Sequence, residues 1–304
     1  MRVGPCGPSC NPRARNRGPD SKDLGRSSGA GAAKSADRPA VPASAGRGAK
    51  QVIDILTTHH VGMAVVAGTP SELALELREA GGDWIVPLFS PYTHELGKRD
   101  WYKNEQLPAM FEAALQSKRY FGLGEVHFMS GFPPRLDNPV FIKLLAIAKT
   151  YRVPSLIHID SADSSLFQRL CQDHPDQTFV FAHAGGNLAA DAIRGLLQTC
   201  KTVWIDLSAR DPWRYGGLTD NQGKLLSSWR QLILDFPDRF ITGTDPVWRV
   251  TRTQSWDQPD DGWDHYDQLY QYHLGWLSQL PAAVAQKIAW DNPRRVYGRE
   301  TFSK

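Results

Sequence analysis

The sequence predicts an α/β fold of the (β/α)8, TIM-barrel type, and three features carry that expectation. Short apolar runs bounded by turn residues recur along residues 61–245, with helical patterns between them. The runs start about 20 to 40 residues apart, and strand–helix alternation of that kind means a parallel sheet. The chain has 304 residues, a length one such barrel fills. No Gly-x-Gly-x-x-Gly or Walker-type loop follows any run, which sets nucleotide-binding doubly wound folds aside.

Residues 1–50 come first, and they are Gly, Ala, Arg, Pro and Ser with almost no large apolar side chain. Such a segment buries too little surface to offset its ordering entropy, so a disordered basic leader is expected. It lacks the apolar centre of a secretory signal. It holds ten Lys or Arg against three Asp, a balance of +7, which leaves the remainder at −4 within a net charge of +3. The basic character therefore belongs to the leader, and nucleic acid is not an expected partner.

From residue 51 to 304 a single domain is expected. "QVIDILTTHH" reads as the end of a helix. Seven buried strands then follow: "VGMAVVAG" from Val61, "WIVPLFS" from Trp84, "YFGLGEVHF" from Tyr120, "PSLIHID" from Pro154, "FVFAHAGG" from Phe179, "VWIDLSA" from Val203 and "FITGTD" from Phe240. Runs this continuous suit strands covered on both faces. Helical patterns separate them, among them "TPSELALELREA", where Thr69 and Glu72 have capping-box spacing. A barrel of this type starts with a strand, and here the first element is a helix. The first strand is therefore expected to be missing, with the unrelated leader in its place.

Chemistry in such barrels sits at the C-terminal strand ends. Those ends carry Glu125 and His127, His158 and Asp160, His183, Asp206, and Asp245. Residues two apart on a strand share a face, so each pair can aim two groups at one opening. A single buried histidine is usually a hydrogen-bonded core residue. Five consecutive strand ends of this kind would be costly to bury without partners. A divalent metal offsets that cost, because carboxylates and neutral imidazoles are its ligands. With no thiolate in the set, Zn²⁺ is the first expectation and Mn²⁺ the second, as one ion or two. Asp245 could ligate the metal and take a proton from water, and His183 could bind a second metal or stabilise developing charge.

At these residues the chain resembles the amidohydrolase superfamily, specifically the amidohydrolase-related (type 2) group of metal-dependent barrel hydrolases. The matching pieces are "GLGEVHF", "PSLIHID", "FAHAGGN", "VWIDLSAR", "FITGTD" and the closing "NPRRVYG", spread over roughly residues 52–299. The resemblance implies that His158, His183 and Asp245 are metal ligands or catalytic groups after the fifth, sixth and eighth strands. It also implies that Glu125 supports or bridges a second metal, and that "NPRRVYG" packs the final helix. Relatives hydrolyse amide, ester or related bonds, and some decarboxylate aromatic acids. The departure is the His-x-His that opens such chains: this sequence has none, and the adjacent pair His59-His60 reads as a solvated helix terminus.

On the substrate side, His127, Arg210, Trp248 and Arg249 are the candidates. His127 stands at a strand end, while Arg210, Trp248 and Arg249 lie in loops rich in Trp and Arg, a composition that can grip an acidic or aromatic group. Trp213, Arg214, Trp263 and Tyr266 belong to the same loops, with packing against the rim as their other reading. Leu269, Tyr272 and Trp276 fall at helical spacing and are expected in the core. Four cysteines without Cys-x-x-Cys spacing are expected to be reduced and structural. The expectation is thus a metal-dependent hydrolase acting on a small molecule, with no membrane segment, a cytoplasmic location and a homodimer as the candidate assembly. The alternatives are a catalytically impaired remnant or binding protein, and a decarboxylase of the same fold.

Overall fold

Among the described residues, eight short parallel strands follow one another in chain order, which is the order a barrel requires. They are β1 (Ala40–Ala43), β2 (Ala64–Gly68), β3 (Ile85–Leu88), β4 (Leu123–Met129), β5 (Ser155–Asp160), β6 (Phe179–Phe181), β7 (Val203–Asp206) and β8 (Phe240–Ile241). The structure is a computed structural model that describes residues 40–43, 48–92, 100–247 and 261–298, the first four of these through their backbone. Strands β1 to β3 form one sheet and β4 to β8 a second. The two meet where the Phe89 amide donates to Gly122 and the Gly124 amide to Phe89. No β8–β1 ladder forms among the described residues.

The helices alternate with the strands: α1 (Ala49–Thr58), α2 (Glu72–Gly81), α3 (Leu107–Gln116), α4 (Pro139–Tyr151), α5 (Ser165–Asp173), α6 (Ala190–Thr199), α7 (Ser227–Asp235) and α8 (Tyr266–Leu277). Two short helices, α9 (Ala282–Gln286) and α10 (Asn292–Val296), close the described chain. No helix among the described residues is long and apolar enough to cross a membrane.

Strand alternation divides the core in two. Val65 and Ala67, Val86 and Leu88, Leu156, Val180 and Ile241 share the lumen with Trp290, Val296 and Tyr297. Their neighbours Val126, Ile157, Phe179, Phe181, Ile205 and Phe240 face outwards and pack under the helices. The same alternation turns Glu125 and His127, His158 and Asp160, and Asp206 towards the lumen side. Asn292 locks the closing helix: its amide donates to Phe240 O at 2.7 Å and Pro237 O at 2.8 Å. Leu269 and Trp276 are fully buried, as their spacing predicts, while Tyr272 is only partly buried.

Three expectations are corrected. The first strand is not missing: Ala40–Ala43 pairs in parallel with β2, Ala40 opposite Val65. Four residues with one large apolar side chain and a proline carry almost no strand signal, and proline suits an edge position. The Thr69 capping box does not form, because the helix begins at Glu72 with no side-chain cap. Ser71 beside it bonds instead to Ser90, giving to its carbonyl at 2.8 Å and accepting its amide at 2.9 Å. Finally, Cys171 and Cys200 are joined as a disulfide with Cα atoms 6.0 Å apart, within the span such bonds need.

Candidate metal centre

Glu125 Oε1 is the hub of the strand ends. Nδ1 of His158 donates to it at 2.9 Å, Nε2 of His183 lies 3.4 Å away and Nε2 of His127 3.8 Å away. Asp245 joins through His183, whose Nε2 is 3.8 Å from Asp245 Oδ2. The four residues that sequence reasoning named as ligands (Glu125, His158, His183 and Asp245) therefore converge at one end of the barrel. His127 belongs with them rather than only on the substrate side. Ligand atoms of Glu125, His127 and His158 all lie within 4.8 Å of one another. The i,i+2 spacing on β4, which pairs Glu125 with His127 on one face in the sequence, brings both to the site, but as fellow donors.

The electrostatics follow from this crowding. Burial alone would raise the Glu125 carboxyl, but the His127 charge and bonds from His158 and His183 outweigh it and hold it well below the ordinary carboxylate range. Burial disfavours a charged His158, yet Asp160 and Glu125 accept from both its nitrogens and lift its pKa to about 9. His183 is also raised: burial opposes, while the Glu125 bond and the Asp245 charge prevail. Asp245 goes up because it is buried, with His183 and Arg214 pulling the other way. A carboxylate ringed by three imidazoles, with a second carboxylate beside it and no thiolate, is a donor set that fits Zn²⁺ or Mn²⁺. A cation there would take the place of the proton His158 now holds.

Second contacts orient each donor. The Tyr92 hydroxyl is 2.6 Å from His127 Nδ1 and accepts the His127 amide at 2.9 Å. Tyr215 stacks on His183, ring centroids 5.5 Å apart. His183 and Asp245 both sit at positive φ, 54° and 45°, strain of a kind that gathers at working sites. Arg214, its side chain fully buried, donates to Asp211 and to the carbonyls of Thr244 and Asp245, and lies 3.5 Å from Asp245 Oδ2. It holds the loop after β8, a role its sequence position did not announce.

The other substrate candidates part company. Arg210 is buried; its Nη2 donates to Leu188 O at 3.1 Å and its guanidinium lies over Trp229. Burial lowers its pKa to about 10. Trp248 and Arg249 lie outside the described residues. Trp263 and Tyr266 are buried against α1 and α2. A cavity of about 480 Å³ is lined by Ser130, Asp160, Ser161, Gly186, Asn187 and Tyr215, and touches the donors through Asp160, which bonds to His158, and Tyr215, which stacks on His183. A larger groove of about 860 Å³, carrying Met129, Phe132, Ile142 and Leu166, has no such contact with the His158 or His183 ring among its lining residues.

A family model described as Amidohydrolase matches residues 31–299. An amidohydrolase from Burkholderia multivorans, crystallised with bound zinc, is 15% identical at a TM-score of 0.53, the match covering 87% of this chain and 99% of that one. An amidohydrolase from the same organism with bound HEPES gives 16% and 0.52, covering 86% and 98%. A 2,6-dihydroxybenzoate decarboxylase complexed with 2,6-dihydroxybenzoate is 12% identical at 0.49, covering 82% and 87%. At such identities the likeness to the two Burkholderia structures speaks for the fold alone. No curated protein matches the chain.

Proposed function

This chain belongs to the amidohydrolase family, and from that premise we propose that it is a metal-dependent hydrolase directing water onto an amide, ester or related bond. The observation that supports this most is the convergence of three imidazoles on Glu125 Oε1, with Asp245 joined through His183. Glu125, His127 and His158 would hold the ion, with His183 and Asp245 beside them. Zn²⁺, or Mn²⁺, would supply Lewis acidity there, of the kind that lowers the pKa of water towards about 7 and polarises a carbonyl.

The chain's own residues do the rest. Asp245 takes the proton from the attacking water and returns it to the leaving group. Arg214 fixes the carboxylate for that task through the carbonyl of the same residue. His183 directs Nε2 at the same space and stabilises developing negative charge. Asp160 holds His158 by its Nε2 at 2.9 Å, an outer contact of the kind that orients a ligating imidazole. Gly185 and Gly186 line the cavity next to His183, where a Cβ would strike Leu188 and Phe181 or the Tyr215 ring.

One observation favours a second reading. The sequence Ala-Val-Pro-Ala of β1 contains no histidine, whereas the family resemblance implies a His-x-His in the first strand, and that departure suits an impaired remnant that binds without turnover. The full chain, stripped and reloaded with Zn²⁺ or Mn²⁺, is assayed against a panel of amides and esters beside His158→Ala. Metal-dependent hydrolysis lost in His158→Ala supports the enzyme. Bound metal without turnover supports the remnant, and release of CO₂ from aromatic acids would mark a decarboxylase.

A further inference from the structure

Asp206 ends β7 fully buried. It accepts three hydrogen bonds: the Ser208 amide gives to Oδ1 at 3.0 Å, and the Ser208 hydroxyl and the His183 amide, at 3.4 Å, give to Oδ2. Ser208 in turn faces His183. Nδ1 of His183 lies 2.9 Å from Ser208 Oγ and 3.2 Å from Ser208 O.

The directions of these bonds are constrained. A carbonyl oxygen only accepts. The hydroxyl has one proton, and that proton is committed to the Asp206 carboxylate, so Oγ accepts from its other neighbour. Both partners of Nδ1 are therefore acceptors, and Nδ1 carries hydrogen whether the ring is neutral or charged. The working edge of the imidazole is then Nε2, which faces Glu125 and Asp245.

We infer that Asp206 is a positioning residue which, through Ser208, locks His183 with Nδ1 protonated and Nε2 turned to the site. It also ties the ends of β6 and β7, holding the backbone amides of His183 and Ser208 with one carboxylate. This explains why His183 keeps a left-handed backbone at φ 54°: the turn swings its ring between the two strand ends. The inference holds whether the site hydrolyses, decarboxylates or only binds, because it concerns the imidazole alone.

The test reads the proton directly. The full chain is labelled with ¹⁵N-histidine, and His183 is assigned by comparison with His183→Gln. The nitrogen shifts are recorded metal-free, at the alkaline end of the ring's titration, and again with Zn²⁺ added. The expected result is an exchange-protected Nδ1–H in both samples. Asp206→Asn can donate to Ser208 Oγ and so reverse the chain of bonds, and the protected proton is expected to be lost from Nδ1. Ser208→Ala leaves the carbonyl alone as acceptor and is expected to weaken protection at least tenfold, while Ser208→Thr restores it. An unprotonated Nδ1 in the parent chain overturns the inference. So does a resonance unchanged in both Asp206→Asn and Ser208→Ala.

Discussion

His158 gives both of its ring protons to carboxylates, Nδ1 to Glu125 and Nε2 to Asp160, each at 2.9 Å. A histidine in that position is held as a cation, in keeping with its pKa of about 9. Its raised value stabilises the metal-free fold fully below the unfolded pKa near about 6.5, and that stabilisation is lost as pH rises through 9. Metal binding has the opposite sign, since the ligand must give up its proton first. Zinc affinity, measured by calorimetry between about pH 6 and 9, is expected to rise up to about tenfold per pH unit for each proton displaced. A flat profile would remove His158 from the donor set.

The charge on Glu125 gathers three imidazoles, so Glu125→Gln keeps the shape and removes the cause. Zinc affinity is expected to fall about 100-fold or more, with a smaller loss of about 10- to 100-fold for the outer contacts Asp160→Ala and Tyr92→Phe. Calorimetry on metal-free protein reads both. Equal losses for Glu125 and Asp160 would place Asp160 among the ligands instead.

Arg214 and Asp211 form a pair with both side chains fully buried. Removing the guanidinium leaves the carboxylate buried without its partner and frees three carbonyls after β8. Arg214→Met is therefore expected to destabilise the chain by about 3–5 kcal/mol in urea unfolding. The double variant Arg214→Met/Asp211→Leu, which removes both charges, is expected to recover part of that loss.

What could be read in the sequence follows from what is local. Strands β4 to β8 announce themselves because parallel strands covered on both faces must be apolar, so a terminal His, Asp or Glu stands out against the run. Strand β1 was hidden because Ala40–Ala43 draws its conformation from the β2 ladder rather than from its own side chains. Arg210 and Arg214 look alike in "SARDPWRYGG", yet one lies over Trp229 and the other reaches carbonyls 30 residues further on. Only the closed fold separates them. The pairing of Cys171 with Cys200 was equally hidden, since the meeting of α5 with the end of α6 depends on the barrel's curvature.

That disulfide closes a loop with a sequence separation of 29. Loop-closure entropy predicts a stabilisation of about 3–4 kcal/mol. Reduction with dithiothreitol, or Cys171→Ser, is expected to lower the urea midpoint accordingly, and thiol titration of the unfolded chain to find two more reactive groups after reduction. An unchanged midpoint would show that the bond contributes nothing to stability.

Gly186 adopts φ 64°, and a Cβ placed on it would stand 2.9 Å from the Tyr215 ring. That ring stacks on His183 at an interplanar angle of 28°. The second glycine of "AHAGG" thus serves two ends: it takes a left-handed backbone at no steric cost, and it lets Tyr215 lie against the imidazole. Gly186→Ala incurs backbone strain of roughly 1–2 kcal/mol and pushes Tyr215 off His183 as well. The two costs separate in a double-mutant cycle. If the contact with Tyr215 matters, Gly186→Ala costs less stability in a Tyr215→Ala background than in the parent, by about 0.5–3 kcal/mol. If only the backbone matters, the cost is the same in both. Equal costs would free Gly186 from any part in shaping the site and leave it as a turn residue.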